Sequence, residues 1–355
     1  MAKKLAMLTG GGDCPGLNAV IRAVTRRALL EGWDVFGFRN GWAGVLKKDT
    51  FPIDRQKVAG ILHLGGTILG TSRTNPTDDQ LNDIAGNLKS LGIDVLVAIG
   101  GDDTLSVASR LSARGIPVIG VPKTIDNDIA GTDQTFGFDT AVSIATEALD
   151  RLHTTAEAHS RVLITEIMGR QAGWITLYAG IAGGADVVLL PEFPMTLDAI
   201  CEIIKKRQAN GKNFSIVAVA EGFKIDGEAA VLQTDKLDAF GHARLGGVAE
   251  RLCKLIEDKT GIESRAVVLG HTQRGGTPTA FDRVLSTRYG IKAAELAISG
   301  QTGKLVALHG QDIVGVDFAT LVKEVVDKKT GKAKLRMGNR SVPKELYDLS
   351  KVFFG

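Results

Sequence analysis

The sequence predicts a doubly wound α/β protein, and three observations carry that prediction. Short, β-branched-rich runs recur along the chain at residues 5–9, 93–99, 116–121, 161–167, 186–190, 214–220 and 265–269. Their continuous apolarity suits parallel strands buried on both faces. Helix-period stretches lie between several of them, as in Leu17, Val20, Ile21, Val24 and Ala28, which ends near Gly32 as a helix would. Polar, glycine-rich clusters follow directly after the strands, where this architecture places ligands. Strand order does not follow from the sequence.

Taken in chain order, the first run closes in Gly10-Gly11-Gly12-Asp13-Cys14-Pro15-Gly16 ahead of an amphipathic helix. Amides at such a helix start face an anion readily, although a tight βα turn needs no ligand. The pattern is neither a dinucleotide fingerprint nor a Walker loop, so dehydrogenase and P-loop readings lose support. The second run closes in Gly100-Gly101-Asp102-Asp103-Thr104, which sets a carboxylate, a hard ligand suited to Mg²⁺, beside exposed amides. Alternatively, Asp103 or Thr104 caps a helix over residues 105–111. The third closes in Pro122-Lys123-Thr124-Ile125-Asp126-Asn127-Asp128, where an aspartate can take the proton of an attacking hydroxyl and a lysine can meet a phosphate. An Asx-rich turn has the same composition.

Later clusters add cations. Arg161 opens a strand that ends in Met168-Gly169-Arg170, and Arg265, His271 and Arg274 gather around the last strand. Guanidiniums bind phosphate through paired donors and stabilise transferring phosphoryl oxygens, while the ordinary fate of an arginine is a surface ion pair. Glu221 ends the run at 214–220 and can accept hydrogen bonds from sugar hydroxyls or serve structurally. The polar, glycine-rich stretch 222–247 reads as surface elaboration or a lid.

Length and composition bound the rest. At 355 residues the chain suggests two domains, with 44% hydrophobic and 23% charged residues as in ordinary soluble proteins. A formal charge of +3, with no long basic block, gives no case for nucleic acid or an anionic membrane. Cys14, Cys201 and Cys253 lack metal-ligand spacing and read as free thiols in a reducing cytoplasm. The start of the chain reads as a first strand rather than a signal peptide, and no apolar run is long enough for a membrane helix.

Together these motifs resemble the 6-phosphofructokinase family over residues 5 to about 292. The resemblance implies two similar Rossmann-like, three-layer domains with the active site in the cleft between them. The phosphoryl-donor domain would span 1–138 and about 273–325, and the fructose 6-phosphate domain 139–272 and about 326–355. It implies Asp126 as the base for the sugar 1-hydroxyl, Asp102 as the Mg²⁺ ligand, and Lys123 and Arg170 at the transferring phosphoryl group. Thr124, Met168, Gly169, Arg170 and Glu221 would contact the sugar phosphate, as would Arg161, Arg265, His271 and Arg274. The positions of Arg161 and Arg265 come from a neighbouring subunit in that family, so a homo-oligomer, dimer or tetramer, with shared active sites is implied. Asp128 receives no defined role.

Within the family, Asp103 and Lys123 resemble the branch that uses inorganic pyrophosphate, with Gly11, Gly12, Gly101, Asp103, Thr104 and Lys123 at the donor. ATP-using members generally have glycine at the position of Asp103. Two unit charges about 4 Å apart repel by about 4 kcal/mol at an effective dielectric near 20, enough for about a thousandfold discrimination against an ATP α-phosphate. The readings left open are ATP as donor, sedoheptulose 7-phosphate as acceptor, and a non-catalytic sugar-phosphate-binding regulatory subunit. Intact Asp126 and Asp102 argue against the last. His153 replaces an effector arginine of bacterial ATP-using members, so weak or absent allosteric control is expected, with Arg22 and Arg26 as remnants of an effector pocket.

Overall fold

The computed structural model describes residues 2–227, 232–234, 244–326 and 333–354. Most of the stretch 228–243, part of the expected lid, lies outside the described residues. The chain divides into two compact units: Met1–Thr124 with Ile129–Asp139 and Arg274–Asn339, and Ile125–Asp128 with Thr140–Gln273 and Arg340–Gly355. The final crossing therefore comes after Asn339, not at about 326. The antiparallel hairpin Val322–Val326/Ala333–Met337 stays with the first unit, because Met337 joins the core of that unit.

The first unit is built on β1 (Lys4–Gly10), β2 (Asp34–Phe38), β3 (Thr50–Pro52), β4 (Val95–Gly100) and β5 (Val118–Pro122), with two later strands, Lys304–His309 and Asp312–Asp317. They form one sheet in the order Asp312–Asp317, Lys304–His309, β5, β4, β1, β2, β3. Pairing is parallel through the middle and antiparallel at both edges. Alternate strand residues point to opposite faces. Ala6, Leu8, Leu96, Ala98 and Val118 pack with Trp42, Val45, Leu81, Ile84 and Leu105 from α2 (Trp42–Lys47), α3 (Asp78–Ser90) and α4 (Asp102–Ala113). The intervening residues Leu5, Met7, Val97 and Ile119 are also buried. Beyond them α1 (Leu17–Leu30) packs tightly on helix Ala280–Ile298. A Cβ on Gly290 would lie 2.7 Å from the Val20 carbonyl, so glycine sets how closely these helices approach.

The expected strands at 93–99 and 116–121 each begin two residues late, for a common reason. Gly92 and Gly115 adopt left-handed backbones after α3 and α4. The Ile93 amide then donates to the Leu88 carbonyl at 3.0 Å, and the Ile116 amide to Leu111 at 3.1 Å. Each isoleucine closes a Schellman turn and only then feeds its strand.

In the second unit β6 (Val162–Ile167), β7 (Val187–Leu189), β8 (Ser215–Ala220) and strand Ser264–Val268 form a fully parallel sheet in the order Ser264–Val268, β6, β8, β7. Val162, Ile164, Val217 and Val219 pack on Ile200 and Ile204 of helix Leu197–Ala209 and on Leu252 and Ile256 of helix Val248–Thr260. On the opposite face helix Trp174–Ala182 sits close, since a Cβ on Gly180 would meet Val188 at 2.7 Å. The doubly wound α/β expectation holds. Among the described residues, no helix is long and apolar enough to cross a membrane.

Candidate active site

Three strand ends of the first unit converge. The Lys123 amide bonds to the Gly100 carbonyl, which ties the ends of β4 and β5 together. Its buried side chain reaches the glycine turn after β1, where Nζ donates to the Gly12 carbonyl at 2.7 Å. An added Cβ on Gly11 would lie 3.3 Å from that ammonium, and one on Gly12 would lie 2.9 Å from Arg274 Nη1. Arg274 Nη1 itself donates to the Asp13 carbonyl. The glycines thus let two cations approach one backbone turn. The turn's own amides are partly used, since Gly11 donates to the Ser72 carbonyl and Cys14 to Asp13 Oδ1. The segment around Ser72, which sequence reasoning passed over, is therefore part of this constellation, with Thr71 Oγ1 bonded to the Gly11 carbonyl.

α4 begins one turn earlier than expected. Its N-cap is Gly101, without a side-chain cap, so neither Asp103 nor Thr104 caps the helix. Asp102 and Asp103 stand in the first turn, where carboxylates oppose the positive end of the helix dipole. Thr104 is buried beneath the strand ends, and a Cβ on Gly10 would come within 2.6 Å of its hydroxyl. Asp103 is only 8% exposed. Its carboxylate is not a bare charge, because Arg336 Nη2 lies 2.6 Å from Oδ1 and also 3.5 Å from Asp102 Oδ2. The full repulsion expected between Asp103 and an ATP phosphate is accordingly reduced. Arg336 gave no signal in sequence, standing more than 200 residues away in an edge-like hairpin.

In the second unit, Ile125–Asp128 form a short segment in which Asp126 and Asn127 are buried and Asn127 takes a left-handed backbone. The Asp128 carbonyl accepts from the Arg340 amide at 2.7 Å, so Asp128 has at least a backbone role in anchoring the segment. Thr124, the last residue before it in the first unit, is buried, and its carbonyl accepts from Thr135.

After β6, Met168 is half-buried, Gly169 has a φ of 148° and Arg170 a left-handed φ of 55°. Glu221, at the end of the adjacent β8, accepts from the Arg170 amide at 2.8 Å and from the Gly169 amide at 3.4 Å. The structural hydrogen bond weighed for Glu221 is therefore present, and it fixes the backbone that carries Arg170. Gly222 has no room for a side chain, since a Cβ would overlap the Arg170 carbonyl.

Arg161, just before β6, and Arg265, within the neighbouring strand Ser264–Val268, meet at Glu263, a residue not singled out from sequence. Arg161 Nε is 2.9 Å from Glu263 Oε2, and Arg265 Nη2 pairs with Oε1. The hydrogen bond from Arg161 holds the Glu263 carboxyl below the usual carboxylate range. His271 is exposed on a single helical turn, Gly270–Arg274. His153 has a packing role here, with Nε2 2.7 Å from the Gly183 carbonyl and its ring edge-on to Phe214.

Among the described residues there is no group of three or more His, Cys, Asp or Glu side chains arranged to hold a metal. Cys14, Cys201 and Cys253 are free and buried. Burial raises all three thiols above their ordinary range.

Comparison with known proteins fits this arrangement. The family model described as Phosphofructokinase matches residues 4–297. A pyrophosphate--fructose 6-phosphate 1-phosphotransferase of Amycolatopsis methanolica is 52% identical, covering 99% of this chain and all of its own. An ATP-dependent 6-phosphofructokinase of Streptomyces coelicolor is 50% identical over 91% of this chain and 95% of its own. Among solved structures, the T-state phosphofructokinase of Pichia pastoris aligns with a TM-score of 0.79 at 31% identity, covering 90% of this chain and 35% of that one. This chain therefore spans about a third of the yeast protein's length. With a family model and full-length relatives in agreement, the chain belongs to the phosphofructokinase family.

Proposed function

We propose that the protein transfers a phosphoryl group from pyrophosphate to the 1-hydroxyl of fructose 6-phosphate, giving fructose 1,6-bisphosphate and phosphate, in either direction. The observation that carries the donor assignment is Asp103, a carboxylate buried in the first turn of α4 just after β4; on this reading its volume would obstruct a nucleotide and spare a compact diphosphate. The full-length relative named for the pyrophosphate reaction supports it. ATP as donor is the second reading, favoured by the similarly close relative named as ATP-dependent.

In the proposed reaction Asp126 takes the proton of the sugar 1-hydroxyl as that oxygen bonds to phosphorus. The bridging P–O bond of pyrophosphate breaks, and phosphate leaves with the electron pair. Lys123, held by the Gly12 carbonyl, supplies positive charge at the donor, and Arg170 does so at the transferring oxygens. Arg161 and Arg265 take the sugar 6-phosphate with His271 and Arg274, while Thr124, Met168, Gly169 and Glu221 orient the sugar. Gly11, Gly12, Gly101 and Thr104 shape the donor end. The donor residues belong to the first unit and the base to the second. A homo-oligomer with shared sites, acting in the cytoplasm, completes the reading.

Mg²⁺ fits the residues present in a limited way. Asp102 offers a partly exposed carboxylate whose Oδ1 accepts from Ser106 Oγ at 3.1 Å. One such hard ligand, with donor phosphates and water, suffices for an ion that keeps much of its hydration. When bound there, the ion would neutralise charge on the donor oxygens.

The test measures fructose 1,6-bisphosphate formed from fructose 6-phosphate and Mg²⁺ with pyrophosphate or ATP in parallel. Turnover with pyrophosphate is expected. Turnover with ATP alone would overturn the donor assignment, and silence with both would overturn the reaction.

A further inference from the structure

The hairpin strand Ala333–Met337 is fastened to the first turn of α4 at two points. Arg336 Nη2 reaches Asp103 Oδ1 at 2.6 Å and Asp102 Oδ2 at 3.5 Å. One residue on, the Met337 amide donates to Ser106 Oγ at 3.0 Å, and that hydroxyl donates to Asp102 Oδ1 at 3.1 Å. The guanidinium thus reaches both carboxylates from the hairpin strand, while the Ser106 hydroxyl, on α4 itself, links the Met337 amide of that strand to Asp102. The Asp103 side chain is 9% exposed and that of Arg336 29%, so the pair is less screened by water than a surface pair.

Two neighbouring carboxylates at the end of a strand are a poor place for a polyanion. With Arg336 counted, two negative charges and one positive leave a net −1. Without the guanidinium the two carboxylates would sum to −2. The electrostatic cost of Asp103 to an anionic donor is thereby offset, while its volume remains.

We propose that Arg336 is a positioning residue for the donor end: it fixes the Asp103 carboxylate and compensates its charge, so that Asp103 selects the donor by bulk and pyrophosphate is not repelled. The inference rests on the pyrophosphate reading above and deepens it, because it assigns donor selection to a pair of residues from two distant segments. It also sets the sign of each substitution. Removing the guanidinium takes one positive charge from beside the two carboxylates, which weakens pyrophosphate binding more than it slows chemistry. With the Asp103 charge removed first, the guanidinium has lost its nearer carboxylate, and its own removal costs less.

The experiment is a double-mutant cycle on the full-length protein, read as KM for pyrophosphate and kcat separately, with thermal melting of every variant. Arg336→Gln is expected to raise KM about tenfold with kcat within about threefold of wild type. In the Asp103→Asn background the same change should move KM less than about twofold. Arg336→Lys, which keeps a cation, should restore KM to within about threefold. A rise of equal factor in both backgrounds, or no rise in either, overturns the inference. If Arg336→Gln does not fold, Arg336→Lys carries the test, and a tenfold KM rise in that folded variant overturns it. Wild-type turnover with ATP alone would instead sink the donor reading. Loss of coupling while wild type still uses pyrophosphate sinks only the role of Arg336.

Discussion

Replacing Glu221 tests whether the loop that carries Arg170 is held from β8. Arg170 occupies a left-handed backbone, and one restraint on it is the Glu221 carboxylate accepting its amide at 2.8 Å. A hydrogen bond to a charged group contributes about 1.5–3 kcal/mol. Holding a non-glycine residue in the left-handed region costs about 1–2 kcal/mol that the carboxylate must offset. Glu221→Ala removes the acceptor and leaves the strain, so a loss of about 3 kcal/mol of positioning, roughly a hundredfold in kcat/KM for phosphorylation of fructose 6-phosphate, is expected. Glu221→Gln keeps an acceptor oxygen and should lose no more than about tenfold. Steady-state assays with coupled detection of fructose 1,6-bisphosphate, beside a melting curve for each variant, make the comparison. If alanine and glutamine are equally damaging, Glu221 acts through its charge on the sugar, and the argument from the Arg170 backbone is wrong.

Three further expectations can be checked alongside. Asp126→Asn should lower kcat by at least about a hundredfold with little change in KM, as loss of a general base does, and a variant retaining a tenth of wild-type kcat would remove Asp126 from that role. Arg207→Met strips one partner from the ion pair with Asp186, whose side chains are 11% and 12% exposed, and should cost about 3 kcal/mol in denaturant unfolding; a shift under about 1 kcal/mol would mean the pair is not sealed from water. Burial lifts the Cys14 thiol and pushes Cys253 up to about 11, so at pH 8 the native protein should release almost no thiolate to a disulfide reagent and all three thiols only after unfolding; rapid native reaction would contradict the packing around them.

What the sequence exposed was the set of features that are local in the chain. The strand ends and their glycine turns are legible because a run of apolar residues must be buried and the polar cluster after it must then sit at a strand terminus. Gly32 likewise announces the end of α1, since only glycine takes the left-handed turn there at low cost. Ile93 and Ile116 misled for a local reason too: an apolar residue after a helix-ending glycine packs the same way whether it closes the helix or opens the strand. Asp34–Phe38 escaped notice because Gly37 interrupts its pattern, and that glycine is explained only by Ile53 and Leu69 packed where a Cβ would go.

Glu263 and Arg336 mark a different boundary. Each is an ordinary charged residue in its own neighbourhood, and each acquires meaning from a partner set by tertiary pairing. For Glu263 the partners stand on adjacent strands, Arg161 beside β6 and Arg265 in Ser264–Val268, so knowledge of strand order would have found it. For Arg336 nothing short of the hairpin's docking on α4 would do. The consequence reaches the chemistry: read from sequence, Asp103 is a negative charge that repels a nucleotide, whereas with Arg336 beside it the same residue is a nearly neutral, space-filling pair. Bulk and charge predict opposite responses to salt. A donor preference set by repulsion would relax as ionic strength rises and screens it, while one set by volume would persist. The ratio of pyrophosphate to ATP turnover across a salt series therefore separates the two accounts, and the geometry at Asp103 favours persistence.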